Sequence, residues 1–320
     1  MISIQTERTK SAAKKHFKGL KDQITSRLIK RKNSADVCLS AVDYLIFEEL
    51  INMNLERILI GDISSALTCW DTLNIFVTDT GNLIKDVEYV FDYSWFRGYK
   101  KTLYNGFDLA YYLSIDVCPY CNRNYTTSHR INSKNKNVFP EFDHFYPKTD
   151  FPLLALSFYN LIPSCNICNT HFKGSINPDD NNLLNPYTDI NIAKHYKFTF
   201  TPNDYDSLLG KGDNFSLDMN TLINSPTAQL KEKIDSSFAF FGIKETYELN
   251  HKGLIKDLLN KRIANSDGYI QSLAAYGISF NEAYRILFET YFEDEKLYKR
   301  PFSKLKKDLF NEVKSSRFKP

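Results

Sequence analysis

The chain has 320 residues, of which 42% are hydrophobic and 14% aromatic, and a formal net charge of +3. That exceeds one average domain and is apolar enough for a sizeable core, which excludes a wholly disordered chain. A charge so near balance does not by itself mark a nucleic-acid binder, so the distribution of charge carries the information. Met1 to Thr9 lack the apolar core of a signal peptide and no window approaches a membrane-spanning run, so the cytoplasm is the expected compartment, with no membrane partner.

The first segment, Glu7 to Lys32, is strongly basic: Arg8, Lys10, Lys14, Lys15, Lys18, Lys21, Arg27, Lys30, Arg31 and Lys32 face only Glu7 and Asp22. Phe17, Leu20, Ile24 and Leu28 recur at helical spacing, which predicts an amphipathic helix with a cationic face. Such a face is either simply solvated or tracks phosphates. From Ser34 to about Ala110 the pattern stays mainly helical, with apolar clusters at Val37 to Leu50 and Ile58 to Phe76 and a turn predicted at Gly81-Asn82. Cys38 and Cys69 stand alone within these apolar patterns and are expected to be buried thiols. The stretch Trp95 to Tyr112 interleaves aromatic and basic residues (Trp95, Phe96, Arg97, Tyr99, Lys100, Lys101, Tyr104). Core packing accounts for most such aromatics; the same interleaving also stacks and clamps nucleic acid.

From Val117 to about Pro186 the chain is rich in Cys, Asn, Pro, Asp and His, and reads as a compact loop-and-strand unit closed by a short helix. Tyr196 to Thr201 then alternate as a strand, with Phe215 to Met219 as its partner across a turn. Ser225-Pro226 has the form of a helix start, and several helices follow to Val313.

Two of these features carry chemistry. Cys118-Pro119-Tyr120-Cys121 and Cys165-Asn166-Ile167-Cys168 each place two thiols where one metal ion can bind both, and together they make a four-sulfur zinc site. A closed shell of four sulfurs leaves no open coordination position, so this zinc would be structural. The tetrapeptide at Cys118 also matches a glutaredoxin site, a rival reading that requires a strand before it and a helix after it. Between the pairs lies Glu141-Phe142-Asp143-His144-Phe145-Tyr146-Pro147-Lys148, and beyond it Asn160, Asn169, His171 and Lys173. An Asp-His dipeptide alone is usually a buried hydrogen-bonded pair, and Asn160 alone a turn residue; their company is what raises them.

With both Cys pairs, Asp143-His144 with Pro147 behind, the Asn-Leu-x-x-x-Cys run from Asn160 and Asn169 in the final polar position, the segment resembles the HNH endonuclease family, the ββα-metal fold, over roughly a fifth of the chain. The family's last letter is His, so either Asn169 or the nearby His171 takes that place. More narrowly, Asp143 to Lys148 followed by Leu153 to Cys165 is similar to the HNH nuclease subunit of Septu-type and retron-associated antiphage systems, where the partner is an ATPase of the ABC type.

The resemblance implies an α-rich α+β fold with a small ββα-metal unit embedded between helical lobes: an N-terminal lobe at 1–112 with the basic first helix, a zinc-stapled HNH core at 113–190, and a strand pair plus helical lobe at 191–320. It implies hydrolysis of phosphodiester bonds, in DNA by preference and in RNA as the alternative. His144 would be the general base, Asp143 and Asn169 the ligands of Mg²⁺ or another divalent cation, and Asn160 the residue that ties the hairpin loop and orients His144. Glu141 would be an added ligand or a solvated acid, and Lys148 and Lys173 phosphate contacts or plain surface lysines. Adjacent residues of a regular strand point to opposite sides, so Asp143 and His144 are expected on a bent hairpin or loop where both converge. The contrasting function is a catalytically silent zinc module that binds nucleic acid or protein; it needs the cysteines but not this polar set.

Overall fold

A computed structural model describes residues 1–98, 103–131, 136–222 and 227–313. Tyr99, Lys100, Lys101 and the Ser225-Pro226 helix start lie outside the described residues. The chain gathers into two compact units: residues 5–114 with 126–180, and residues 1–4 with 115–125 and those from 181 onward. The described chain is helix-rich, with three small two-stranded sheets. Among the described residues no helix is long and apolar enough to cross a membrane.

In the unit built on residues 5–114 and 126–180, α1 (Glu7–Lys32) starts at Thr6, whose hydroxyl accepts from the Thr9 N–H, and ends on Lys30, Arg31 and Lys32, charges suited to the negative end of the helix dipole. Ala12, His16, Leu20, Ile24 and Leu28 form its buried stripe. This stripe packs on α2 (Ala41–Ile60), α4 (Thr80–Val90) and α6 (Gly106–Leu113), while α3 (Ile63–Phe76) packs on α2. Gly19 lets the Tyr104 ring lie directly on α1, since a Cβ there would come within 2.3 Å of the ring.

Two expected members of the cationic face are structural instead. Arg31 is buried and donates from Nε to Asp86 at 2.6 Å; Asp86, fully buried, also accepts the backbone N–H groups of Cys38 and Leu39. Arg27 turns to the carbonyls of Tyr89 and Val90. Cys69 is buried as expected, but Cys38 is only half-buried, with an Arg31 nitrogen 3.3 Å from its sulfur. Gly81-Asn82 is not a turn between elements: Asp79 accepts the Asn82 N–H at 3.0 Å, and this cap makes the pair part of the first turn of α4.

The short helix α5 (Tyr93–Arg97) is capped by Asp92. Two hairpins follow, β1 (His129–Ile131) with β2 (Lys136–Val138) and β3 (Glu141–His144) with β4 (Leu161–Ser164), both antiparallel. Between β3 and β4 run two 3₁₀ turns, Pro152–Leu156 and Phe158–Asn160. After β4 comes a π-helical segment, Ile167–Lys173, where the Gly174 N–H bonds to the Asn169 carbonyl five residues back. Cys168 and Lys173 are both buried there. Five residues close about one π turn, whereas an α-helix would set those positions ~140° apart.

In the other unit, β5 (Tyr196–Pro202) pairs antiparallel with β6 (Phe215–Thr221), from Tyr196↔Thr221 to Pro202↔Phe215. Alternate residues Tyr196, Phe198, Phe200, Phe215 and Leu217 are buried, as period two requires. Between these strands lies α7 (Tyr205–Leu208), and after them α8 (Ala228–Phe240), α9 (Ile243–Asn250), α10 (Lys252–Ala264), α11 (Asp267–Ser272), α12 (Phe280–Phe288) and α13 (Ser303–Glu312). The described cap of α8 is Thr227. A buried pair, Lys304–Asp308 at 2.5 Å, sits on α13, and Asp308 also accepts the Phe198 N–H, which ties α13 to β5.

Candidate functional site

The four cysteines of the two Cys-x-x-Cys pairs converge: their sulfurs all lie within 4.8 Å of one another. Cys118 opens a turn in which the Asn122 N–H bonds back to the Cys118 carbonyl at 2.8 Å, and Asn122 takes a positive φ of 48°. Cys165 follows β4, and Cys168 lies in the π-helical segment. In a tetrahedral ZnS₄ site, sulfurs at about 2.3 Å from the metal stand about 3.8 Å apart. The donor set and its spacing therefore fit one thiophilic ion such as zinc. The glutaredoxin placement is not met, because Cys118 to Cys121 form a turn and share their cluster with the second pair.

A separate cleft of about 190 Å³ is lined by Tyr93, Arg97, Glu141, Asp143, His144, Pro147, Lys148 and Asn169, among others. β3 supplies three of these side chains. Glu141 and Asp143, two residues apart, share one side of the strand. His144 ends it, where the chain bends toward Phe145, so Asp143 and His144 reach one cleft from a strand rather than from a loop. His144 is half-buried, and its Nε2 lies 3.0 Å from the Ala155 carbonyl. A carbonyl only accepts, so Nε2 carries the proton and Nδ1 keeps the lone pair. Burial holds the imidazole pKa down at about 4, against the Ala155 bond and aided by Lys148 and Lys173, so the ring is neutral near neutral pH. The Tyr93 ring meets it edge-on at 4.5 Å.

Asn169 reaches the same cleft from the π-helical segment and donates from Nδ2 to Glu141 at 2.8 Å. That bond fixes the amide orientation and leaves Oδ1 as the atom for any cation. Asn166 donates to the other Glu141 oxygen at 3.2 Å. Glu141 is thus an acceptor held by two amides rather than a merely solvated acid.

Asn160 is fully buried and makes no contact with the cleft. Its Oδ1 accepts the Tyr146 N–H at 2.7 Å, and its Nδ2 donates to the carbonyls of Tyr146 and Leu154, both at 3.0 Å. The two lysines part company. Lys148 is exposed and lines the cleft, whereas Lys173 is buried and donates to the carbonyls of Ile176 and His144. Burial lowers the Lys173 pKa, and the Asp143 charge opposes this. His171 is exposed and is not among the lining residues. Tyr93 was not anticipated from the sequence, and Arg97 only as one of many residues in a basic-aromatic run; their place depends on a contact between distant parts of the chain, for which no local pattern exists.

A helix-rich protein with four clustered cysteines that could hold a metal ion, and a cleft lined by oxygen and imidazole groups, is the class these observations define. No family model and no solved structure matches the chain. It is similar to the Septu protein PtuB of Bacillus thuringiensis, 30% identical over 94 residues, or 29% of this chain and 33% of that relative. The match spans about a third of the length of the curated relative.

Proposed function

We propose that this chain is a metal-dependent nuclease of the HNH type that hydrolyses phosphodiester bonds, in DNA by preference, as the effector of an antiphage defence system. The observation that carries this reading is the His144 imidazole: neutral, with Nε2 committed to the Ala155 carbonyl, in one cleft with Asp143, Asn169 and Glu141. The hairpin of β3 and β4 followed by a helical segment supports the ββα reading, and the PtuB similarity supports the defence context. The division into a core at 113–190 between lobes at 1–112 and 191–320 belongs to the same proposal, as does an ATPase partner of the ABC type.

In the proposed reaction a water oxygen attacks phosphorus, its proton passes to Nδ1 of His144, and the bond from phosphorus to the leaving ester oxygen breaks. Asp143 and Oδ1 of Asn169 would hold Mg²⁺ or another divalent cation; the carboxylate and the amide oxygen suit a hard ion, which would offset charge on the phosphate. Glu141 holds the Asn169 amide. Lys148 and Arg97 line the cleft where the anion would enter, and Lys173 fixes the strand end from beneath. Asn160 is a positioning residue, since it shapes the loop after His144 without touching substrate. The four cysteines would hold a structural zinc.

Purified protein incubated with plasmid and with total RNA, each with Mg²⁺ or with chelator, tests the reading. Metal-dependent cleavage is expected, with a loss of about 100-fold or more in His144→Ala, the usual effect of removing a general base. Equal single-turnover rates in the two proteins would defeat it, and zinc-loaded protein that binds but never cuts would be a silent module.

A further inference from the structure

We infer that Arg27 is a positioning residue for the cleft: from α1 it clamps the corner between α4 and α5, and so sets where Arg97 and Lys148 stand. The helix α5 has five residues, too few to keep a form or a place through its own hydrogen bonds. Its buried anchor is Phe96, whose ring meets His16 edge-on at 5.8 Å. One ring fixes the depth of a short helix but lets it swing about that point. Arg27 supplies the second point. Its Nε donates to the carbonyls of Tyr89 at 3.0 Å and Val90 at 3.1 Å, and Nη2 donates to the same Tyr89 carbonyl. Nη2 also lies 3.6 Å from Oδ2 of Asp92. The other oxygen of Asp92 accepts the N–H groups of Ser94 at 2.8 Å and Trp95 at 3.2 Å, which start α5. The guanidinium carbon is 4.9 Å from the centre of the Trp95 ring. With its side chain 18% exposed, Arg27 has little left to offer an external phosphate.

The clamped helix serves the cleft directly. Arg97 ends α5 and lines the cleft together with Glu141 and Asp143. It has no ion pair among the described residues, although two carboxylates share that space. Tyr93, at the start of α5, meets His144 edge-on at 4.5 Å, and the Lys148 ammonium lies 5.4 Å from the Tyr93 ring centre. One cation of the cleft thus stands on α5 and the other leans on it. A guanidinium serves a phosphate only while it is unpaired and aimed, and a displacement of about 1 Å is enough to lose that. Released from Arg27, α5 would let Arg97 fall onto a cleft carboxylate, which neutralises the cation and occupies an oxygen meant for metal.

The clamp rests on the reading of the cleft as a phosphate site, and binding measured in chelator separates it from cleavage. The full chain is titrated, by fluorescence anisotropy, into a labelled DNA duplex and into one of its strands, and the tighter form is used. Arg27→Gln should weaken binding about tenfold in the wild-type background. Where Arg97 and Lys148 are already alanine it should cost less than about twofold, because it acts only through them. Arg27→Lys should behave as Arg27→Gln does: an ammonium keeps the charge but cannot serve two carbonyls, Asp92 and the flat Trp95 face at once. A direct phosphate contact would instead give equal losses in both backgrounds and recovery in Arg27→Lys, and a general loosening of the fold would also give equal losses. Any of these results, or wild-type binding by Arg27→Gln, would overturn the clamp. If Arg27→Gln folds poorly, Arg27→Lys carries the same cycle. Coupled losses without cleavage in Mg²⁺ keep the clamp and sink the nuclease, while equal losses in a chain that cleaves do the reverse. A wild type that binds neither DNA form removes both.

Discussion

Two histidines from distant parts of the chain hold neighbouring carbonyls of one 3₁₀ turn. His16 on α1 donates from Nε2 to Leu156 at 2.8 Å, and His144 donates to Ala155 at 3.0 Å. Burial pushes the His16 pKa down to about 4, so the folded chain holds this ring neutral. The unfolded chain binds the proton at about 6.5, so between 6.5 and about 4 it takes up more protons than the fold. Stability from His16 is complete above 6.5 and is lost as pH falls toward 4. The expected melting temperature therefore drops on acidification through that window, less steeply in His16→Gln; parallel slopes in thermal melts across pH would contradict the assignment. Asn160 tests the same loop by a different route. Its three hydrogen bonds serve Tyr146 and Leu154, and Asn160→Ala leaves those backbone groups buried without a partner. At roughly 1 kcal/mol for each bond, the variant should lose about 2–4 kcal/mol in denaturant unfolding, and a loss under 1 kcal/mol would show that the loop stands without it.

At the scale of elements, a metal held by the four cysteines would fasten the end of β4 to the π-helical segment that carries Asn169 into the cleft. Cys165→Ser opens the sulfur shell. Structural zinc is worth ~10 kcal/mol or more in small modules, so the variant should lose zinc by elemental analysis and become poorly soluble. Well-folded wild-type protein free of zinc would remove the basis of this expectation. The elements were legible where a local period set them. Phe198 and Phe200 alternate with threonine and lysine, which marks β5, and Leu20, Ile24 and Leu28 repeat at four, which marks α1. Asp143, His144 and Asn169 were legible through their place in a motif, and the cleft brings them together. Tyr93 and Arg97 were not, because α5 meets β3 only through tertiary packing. The burial of Arg31 and Lys173 was equally hidden, since a cation is read as solvent-facing until a buried carboxylate or carbonyl is known to await it. Gly81-Asn82 misled because a turn signal and the first turn of a capped helix share the same residues.

On the scale of the whole molecule, contacts divide the described chain by packing and not by sequence order, and each unit draws on separated segments. A nuclease of low sequence selectivity would also damage its host, so restraint by a partner belongs with the proposed function. Several apolar side chains of the helical flanks stay in water, Met53 at 76%, Ile75 at 75% and Phe76 at 60% exposure among them. Coexpression with the neighbouring genomic reading frame is expected to yield a complex that survives purification. Expression of the active chain alone should slow growth more than His144→Ala does. Equal growth together with no retained partner would point to a self-contained enzyme.

Because the backbone bonds of residues 167–173 close over five residues rather than four, the chain there has slack that can be removed but not added. Deleting the exposed His171 would leave the lysine four residues after Cys168, about 40° away in an ordinary α-helix, so the ammonium would stay beneath the strand end. Inserting an alanine at the same point would carry it to the far side, about 240° away. The deletion is expected to keep its metal and melt near wild type, and the insertion to lose both. A deletion variant that still cleaves would also retire His171 as the cation ligand, and one that cannot hold metal would show that the wide turn is required as it stands.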